Sequence, residues 1–305
     1  MSSRISVTEP VGPQMGGIMV GLLDQAVKRL TSSTGNIHEA VHDARKNLKA
    51  FRSYLRLLRA IIGDDSFRRL NIQARDAARI LSGARDTVAL HDAIGHVEKY
   101  YRKSAQRPDI GALRRAADVE IRDTASEASI RTATRKVTAM LKPCRDEVRA
   151  WTLPDNPAPY VKGLAKTYGT AAKALGKGLA TRLPDDMHEA RKRIIHWRYQ
   201  LDLFTGLWPR RLKAEVRELQ DLREDLGQHN DLVLLETRIV AAEGGFAGLQ
   251  DSEMYLDAIT VLRADRARTA GFRGSLLFDE TPAARAAELD RWWQAAFDRK
   301  AGKKR

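Results

Sequence analysis

The segment HDARKNLKAFRSYLRLLR (residues 42–59) contains no glycine or proline, and strong helix formers occupy most of its positions. On a helix, six basic side chains fall within one arc about 120° wide. They are His42, Arg45, Lys46, Lys49, Arg52 and Arg56. This basic stripe is about 21 Å long, and Asp43 is the only acid in the segment. Because like charges repel at this spacing, the stripe indicates an anionic partner rather than an ordinary solvated face.

The same pattern occurs a second time, in HEARKRIIHWRY (residues 188–199). At an offset of 146 residues, the matching basic positions are His188, Arg191, Lys192 and Arg198. Ile195 replaces Lys49, so the second stripe is weaker. A further pair, LSGARD at 81–86 and LGQHND at 226–231, repeats at an offset of 145. The sequence therefore predicts an internal repeat of about half the chain.

This combination of motifs resembles the CHAD domain, the conserved-histidine α-helical domain. The resemblance rests on His-x-x-Arg-Lys-x-x-Lys-x-x-Arg, on the following Leu-x-x-x-Arg-Asp and on the weaker second copy, and it spans residues from about 14 to about 300. Membership implies two pseudo-symmetric helical bundles with a central basic groove between them. It also implies that the groove binds inorganic polyphosphate, or another polyanion such as sulfate or phosphate.

The composition agrees with an anionic partner without identifying it. The 305-residue chain has 53 Lys and Arg against 39 Asp and Glu, a formal net charge of +14. Such a balance favours nucleic acid, polyphosphate or an anionic surface. The single cysteine, Cys144, excludes a disulfide framework within the chain and fits a reducing cytoplasm. The apolar run at residues 15–23 is too short to span a bilayer, so no membrane partner is expected.

Helical periodicity and the absence of sustained alternation predict an all-α chain. Residues 1–13 are predicted to be a disordered arm, 14–150 the first bundle half, 151–159 a linker with three prolines, 160–299 the second half and 300–305 a basic tail. The helices following each stripe supply second-rank binding candidates, which are Arg75, Arg79, Lys213 and Arg217. Because five acids lie between residues 215 and 225, we expect the second wall of the groove to be less basic than the first.

The motif HEAVH at residues 38–42 matches the zinc-peptidase pattern His-Glu-x-x-His. Three observations oppose zinc: the extended motif is absent, neighbouring cations repel a metal ion, and Pro184 occupies the position of His38 in the second copy. Histidine gains charge as the pH falls from about 7.5 to 6, so binding through His42 and His188 is expected to strengthen over that range; if binding does not change, these histidines are structural.

The sequence thus predicts polyphosphate binding without catalysis, with no cofactor, metal or catalytic residue. A phosphate-binding glycine loop and a carboxylate cluster for Mg²⁺ are both missing from the sequence patterns. A nucleic-acid-binding protein is the alternative, although aromatic residues suited to base stacking make up only 6% of the chain. The expected location is the cytoplasm, with polyphosphate granules as the expected site of association there, and the oligomeric state stays open.

Overall fold

The computed structural model describes residues 4–6, 9–32, 36–81, 85–122 and 127–302. Within these ranges the chain forms eleven α-helices and one short 3₁₀ turn, without a β-strand. The prediction of an all-α fold is therefore confirmed. The helices are α1 (Val11–Thr31), α2 (Ile37–Ile62), α3 (Asp64–Ile80), α4 (Arg85–Tyr101), α5 (Ile110–Arg122), α6 (Glu127–Arg149), α7 (Ala158–Thr181), α8 (Pro184–Leu203), α9 (Pro209–Ala241), α10 (Ser252–Leu277) and α11 (Pro282–Gly302).

Helix α2, which carries the first basic stripe, extends beyond the segment 42–59 at both ends and has clear end signals. The Asn36 side chain accepts a hydrogen bond from the backbone N–H of His38, which caps the first turn. Gly63 ends the helix at φ 82°, a conformation that favours glycine. Leu48, Phe51 and Leu55 on its apolar face are fully buried. The basic face is thereby held on the opposite side.

From the sequence, the motif LGQHND at residues 226–231 is expected to end one helix and precede another, but α9 continues through it. The structure has one helix of 33 residues. Gly227 of this motif lies inside the helix against Arg191 of α8, and a Cβ atom there would come within 3.3 Å of the Arg191 Nε. This glycine therefore permits close approach between two helices instead of ending one.

The N-terminal segment is packed more closely than a disordered arm would be. Helix α1 already begins at Val11, and Ile5 is buried with its N–H donating to the carbonyl of Leu203 at 2.8 Å. Residues 1–3 and 7–8 of the predicted arm lie outside the described residues, as do residues 303–305 of the predicted basic tail and residues 82–84 of the first LSGARD motif.

Helices pack in the same order before and after the proline-rich segment at 151–159. Helix pairs α1–α2, α2–α3 and α1–α6 correspond to α7–α8, α8–α9 and α7–α11. However, the main hydrophobic cluster draws on both sides of that segment, and a second one joins α4 and α5 to α9 and α10. The predicted halves therefore share their cores, and α2 packs directly on α8.

Candidate functional site

The two basic stripes meet because α2 and α8 cross in opposite directions. At the crossing, the Ser53 Oγ lies 2.8 Å from the His196 Nδ1, and the Gln200 side chain donates to the Ser53 carbonyl at 2.7 Å. Toward its C-terminus, α2 places Arg56 within electrostatic reach of Arg193 in the middle of α8. Toward its N-terminus, the stripe of α2 shares a cleft with the later residues of α8.

This cleft has a volume of about 820 Å³ and lies between α2, α8 and α9. Its lining residues are His38, Val41, His42, Arg45, Lys46, Lys49, Leu81, Arg198, Tyr199, Gln220 and Arg223. Five of these are Arg or Lys, and no carboxylate belongs to the lining within the described part of the chain. The surface therefore has concentrated positive charge and is suited to an anion of several charges.

Three arginines of the cleft are held by the protein in different ways. Arg45 donates to the carbonyl of Leu81 at 2.9 Å, at the negative C-terminal end of α3. The guanidinium of Arg198 lies 4.6 Å from the centre of the Tyr199 ring. The Nε atoms of Arg198 and Arg223 are buried without a hydrogen-bond partner among the described residues. The contacts with Leu81 and Tyr199 therefore orient the guanidinium groups of Arg45 and Arg198 within the cleft.

Farther along the same face of α2, Arg52 and Arg56 form a second cationic group, here called the arginine pair. Both guanidinium groups donate to the same neutral acceptor, the Asn71 Oδ1, at 3.1 Å each, and Arg56 also donates to the Arg52 carbonyl at 2.7 Å. Burial and the charge of Arg52 lower the pKa of Arg56 to about 10. Burial and Arg75 likewise lower the pKa of Arg52. The arginine pair is therefore ordered, but its charge is poorly compensated.

The predicted binding residues in the first half of α8 have different surroundings. Glu189 forms ion pairs with Lys192 and Arg193, which together lower its pKa although burial opposes this. His188 Nδ1 lies 2.8 Å from the Asn230 Oδ1 of α9, and Arg191 is buried against Gly227. None of these side chains lines the cleft. His42 and His188, which match in sequence, therefore have different surroundings.

The second-rank candidates also lie outside the cleft lining. Arg75 is exposed and pairs with Asp76 at 2.8 Å, and Arg79 is exposed on the same helix. Lys213 and Arg217 are exposed on α9, about two turns and one turn before Gln220. The structure thus brings together five predicted residues, His42, Arg45, Lys46, Lys49 and Arg198, and leaves nine outside this cleft.

Four of the five acids at 215–225 point away from the cleft, yet the second wall is the less basic one, with Arg198 and Arg223 against Arg45, Lys46 and Lys49 of α2. Glu218, Asp221 and Asp225 contact Arg273 of α10, and Glu215 contacts Arg285 of α11. Gln220 and Arg223 lie on the opposite side of α9 and line the cleft, with Glu224 bound between them. Sequence analysis missed Arg223 because these acids surround it in the chain.

The described residues contain neither a cluster suited to a metal ion nor a helix suited to a membrane. Although His38 and His42 both line the cleft, no group of three or more His, Cys, Asp or Glu in the described ranges could hold a metal ion. Across the same residues, no helix has the length and hydropathy of a membrane span.

A family model gives the decisive comparison, because the CHAD domain model matches residues 21–240 of the 305-residue chain. The chain belongs to the CHAD domain family. The matched region of this CHAD domain contains α2, α8 and the cleft-lining part of α9.

Comparison with solved structures agrees with the family. The chain is similar to the crystal structure of the CHAD domain from the plant Ricinus communis, with 19% identity, a TM-score of 0.55 and coverage of 88% of this chain and 89% of that one. At this identity the likeness supports the CHAD fold alone. A search of curated proteins found no match.

Proposed function

We propose that this CHAD domain binds inorganic polyphosphate non-catalytically, in a basic groove between its two helical halves. The cleft carries the proposal: three helices from both repeats surround it with five cations and no lining carboxylate. Members of the CHAD family are associated with binding of polyphosphate. The sequence resemblance implies the same ligand for this chain. Polyphosphate has oxyanions at every unit, so several cations can act on one chain at once.

In this proposal the polymer continues from the cleft to the arginine pair. The two lie on the same basic stripe of α2, since Lys49 lines the cleft and Arg52 follows one turn later. Guanidinium groups that are oriented by Asn71 before binding lose little freedom when phosphate arrives. The stripe would thus support a chain of several phosphates rather than one ion.

Nucleic acid is the weaker alternative. Binding of single strands usually uses several aromatic rings that stack with bases, and Tyr199 is the one aromatic residue in the cleft lining within the described residues. Its ring is already covered on one side by Arg198. A competition assay separates the ligands: unlabelled long-chain polyphosphate should displace fluorescent polyphosphate, and DNA or RNA of equal total charge should displace it poorly.

Charge reversal tests the site directly. We expect Arg45→Glu, Lys49→Glu and Arg198→Glu each to weaken polyphosphate binding at least about tenfold, since each loses a charge-assisted contact and gains repulsion. Lys173→Glu, an exposed position on α7 outside the cleft lining, is the matched control. It makes the same change in net charge as Lys49→Glu. Equal losses in the control and cleft variants, with helicity intact, would reject the cleft as the site.

The proposed cellular location is the cytoplasm, at polyphosphate granules. A fluorescent fusion should coincide with granules stained for polyphosphate, and the Lys49→Glu fusion should be diffuse. Granule association that persists in Lys49→Glu would indicate recruitment through another surface.

A further inference from the structure

One histidine beside the helix crossing has no histidine counterpart in the other repeat. His196 of α8 matches Ala50 at the offset of 146. Its ring is partly buried at the α2–α8 contact, with Nδ1 on the Ser53 Oγ. A charged ring at this position would be costly unless an anion stabilised it.

The hydrogen bonds of Ser53 define which ring nitrogen carries the proton. The single hydroxyl hydrogen of Ser53 is donated to the Lys49 carbonyl at 2.7 Å. The Ser53 oxygen must therefore accept the bond from His196, whose Nδ1 is the protonated nitrogen. The Nε2 of the neutral ring is then left as the basic atom, which can take up a second proton.

Positive charges act on this ring from both helices of the crossing. They come from Arg52 and Arg56 on α2 and from Lys192 and Arg193 on α8 itself. Beyond them, Arg75 and Asp76 of α3 act on Arg52, and Glu189 acts on Arg56. Asn71, the acceptor contributed by α3 to the arginine pair, is neutral. The surroundings thus oppose a proton on His196 until negative charge is added.

We propose that His196 is an additional ligand-contacting residue, whose protonated Nε2 donates to a phosphate oxygen held by Arg52 and Arg56. Binding then takes up one proton from solvent at this position. The inference rests on the proposed polyphosphate function. It names one further contacting residue and couples binding to the uptake of one proton. It follows from the contact of His196 with Ser53, which lies between Arg52 and Arg56 on α2, and from the neutral acceptor Asn71 that these two arginines share.

The free and bound states then differ in protonation at near-neutral pH. In the free protein, burial lowers the pKa of His196 well below 6.5, and the neighbouring cations lower it further. Phosphate beside Nε2 would raise it. Affinity should accordingly rise as pH falls from about 7.5 to 6, by up to about tenfold per pH unit, the limit for one linked proton.

Calorimetric titration of the full chain with polyphosphate tests this proton directly. Titrations at pH 6.5 in two buffers of different ionisation enthalpy give the number of protons taken up. We expect uptake in the wild type, a marked reduction in His196→Gln and no change in His91→Gln, a control on α4 that pairs with Asp118. His42→Gln shows whether the first stripe contributes the proton instead.

Histidine ¹⁵N NMR reports the protonation state of the ring in the wild-type protein. This measurement therefore does not depend on whether the His196→Gln variant folds. The His196 resonance should change from the neutral to the protonated position when polyphosphate is added at pH 6.5. Proton uptake that is equal in wild type and His196→Gln, or a ring that stays neutral in the complex, would overturn the inference while leaving polyphosphate binding intact. Loss of the proposed function itself would instead appear as no heat of binding at any pH.

Discussion

Arg273 of α10 lies 3.0 Å from the carboxylate of Asp225 on α9, and the same guanidinium also contacts Glu218 at 2.9 Å. This relationship removes acidic charge from the groove side of α9. It explains how a helix rich in acids can still contribute Arg223 and Gln220 to a basic cleft.

Replacing Arg273 should destabilise the protein. Asp225 is buried, and Arg273→Ala would leave it with Arg266 alone at 3.5 Å. We expect the free energy of unfolding to fall by about 2–3 kcal/mol, somewhat less than for a fully isolated buried charge because Arg266 remains. Urea unfolding measures the change. Arg268→Ala, at a highly exposed ion pair with Asp265, should lower it by less than about 1 kcal/mol; equal effects would refute the role given to burial.

The substitution Asn71→Asp should have opposite effects on thermal stability and on polyphosphate affinity. A carboxylate at this position would neutralise the arginine pair, where Asn71 supplies only a neutral acceptor. We expect a higher melting temperature together with polyphosphate affinity reduced about tenfold or more, since the ligand's charge would then meet a compensated site. Asn71→Ala is the control, because it removes the acceptor without adding charge and should lower the melting temperature. Unchanged affinity in Asn71→Asp would exclude the arginine pair from the binding surface.

Polyphosphate binding should depend steeply on salt. Released counterions contribute to binding, and the logarithm of affinity falls linearly with the logarithm of salt concentration. Neutralising one contacting cation, as in Arg198→Ala or Lys46→Ala, should reduce this slope by about 0.7, the value per charge for a single-stranded polyanion. Fluorescence anisotropy between low and high salt provides the slopes. Slopes that match the wild type in both variants would show that these cations do not contact the polymer.

Stability should decrease in acid because His229, which is buried, and His196, which is partly buried, resist protonation. Burial lowers the pKa of His229 to about 4, with further effects from Arg263 and Arg182, and burial also lowers that of His196. Between the unfolded value of about 6.5 and pH 4, the unfolded chain binds more protons than the native one. Each histidine therefore contributes stability that is present above about pH 6.5 and is lost as the pH falls, at up to about 1.4 kcal/mol per pH unit.

Thermal unfolding between pH 7 and pH 4.5 checks this dependence without ligand. His229→Gln should flatten it, because it removes a buried group that resists protonation. The hypothesis fails if the pH profile of His229→Gln follows that of the wild type.

Sequence reasoning located helix α2 and much of the cleft because both depend on local pattern. The absence of helix breakers and the positions of Asn36 and Gly63 define α2, and its helical phase brings Arg45, Lys46 and Lys49 onto one side. The same periodicity could not show which basic residues of the second repeat line the cleft and which do not. His188 and Arg191 share the motif, yet they face α9.

The sequence alone thus determined an all-helical chain of the CHAD family, a repeated motif and one strongly basic helix face, since these are properties of periodicity and charge along the chain. Only the tertiary structure decided which cations surround a common space, because this depends on how α2, α8 and α9 cross. It brought Arg223 and Tyr199 to the cleft and turned four acids of α9 toward Arg273 and Arg285. Distant parts of the chain form these contacts, and no local spacing records them.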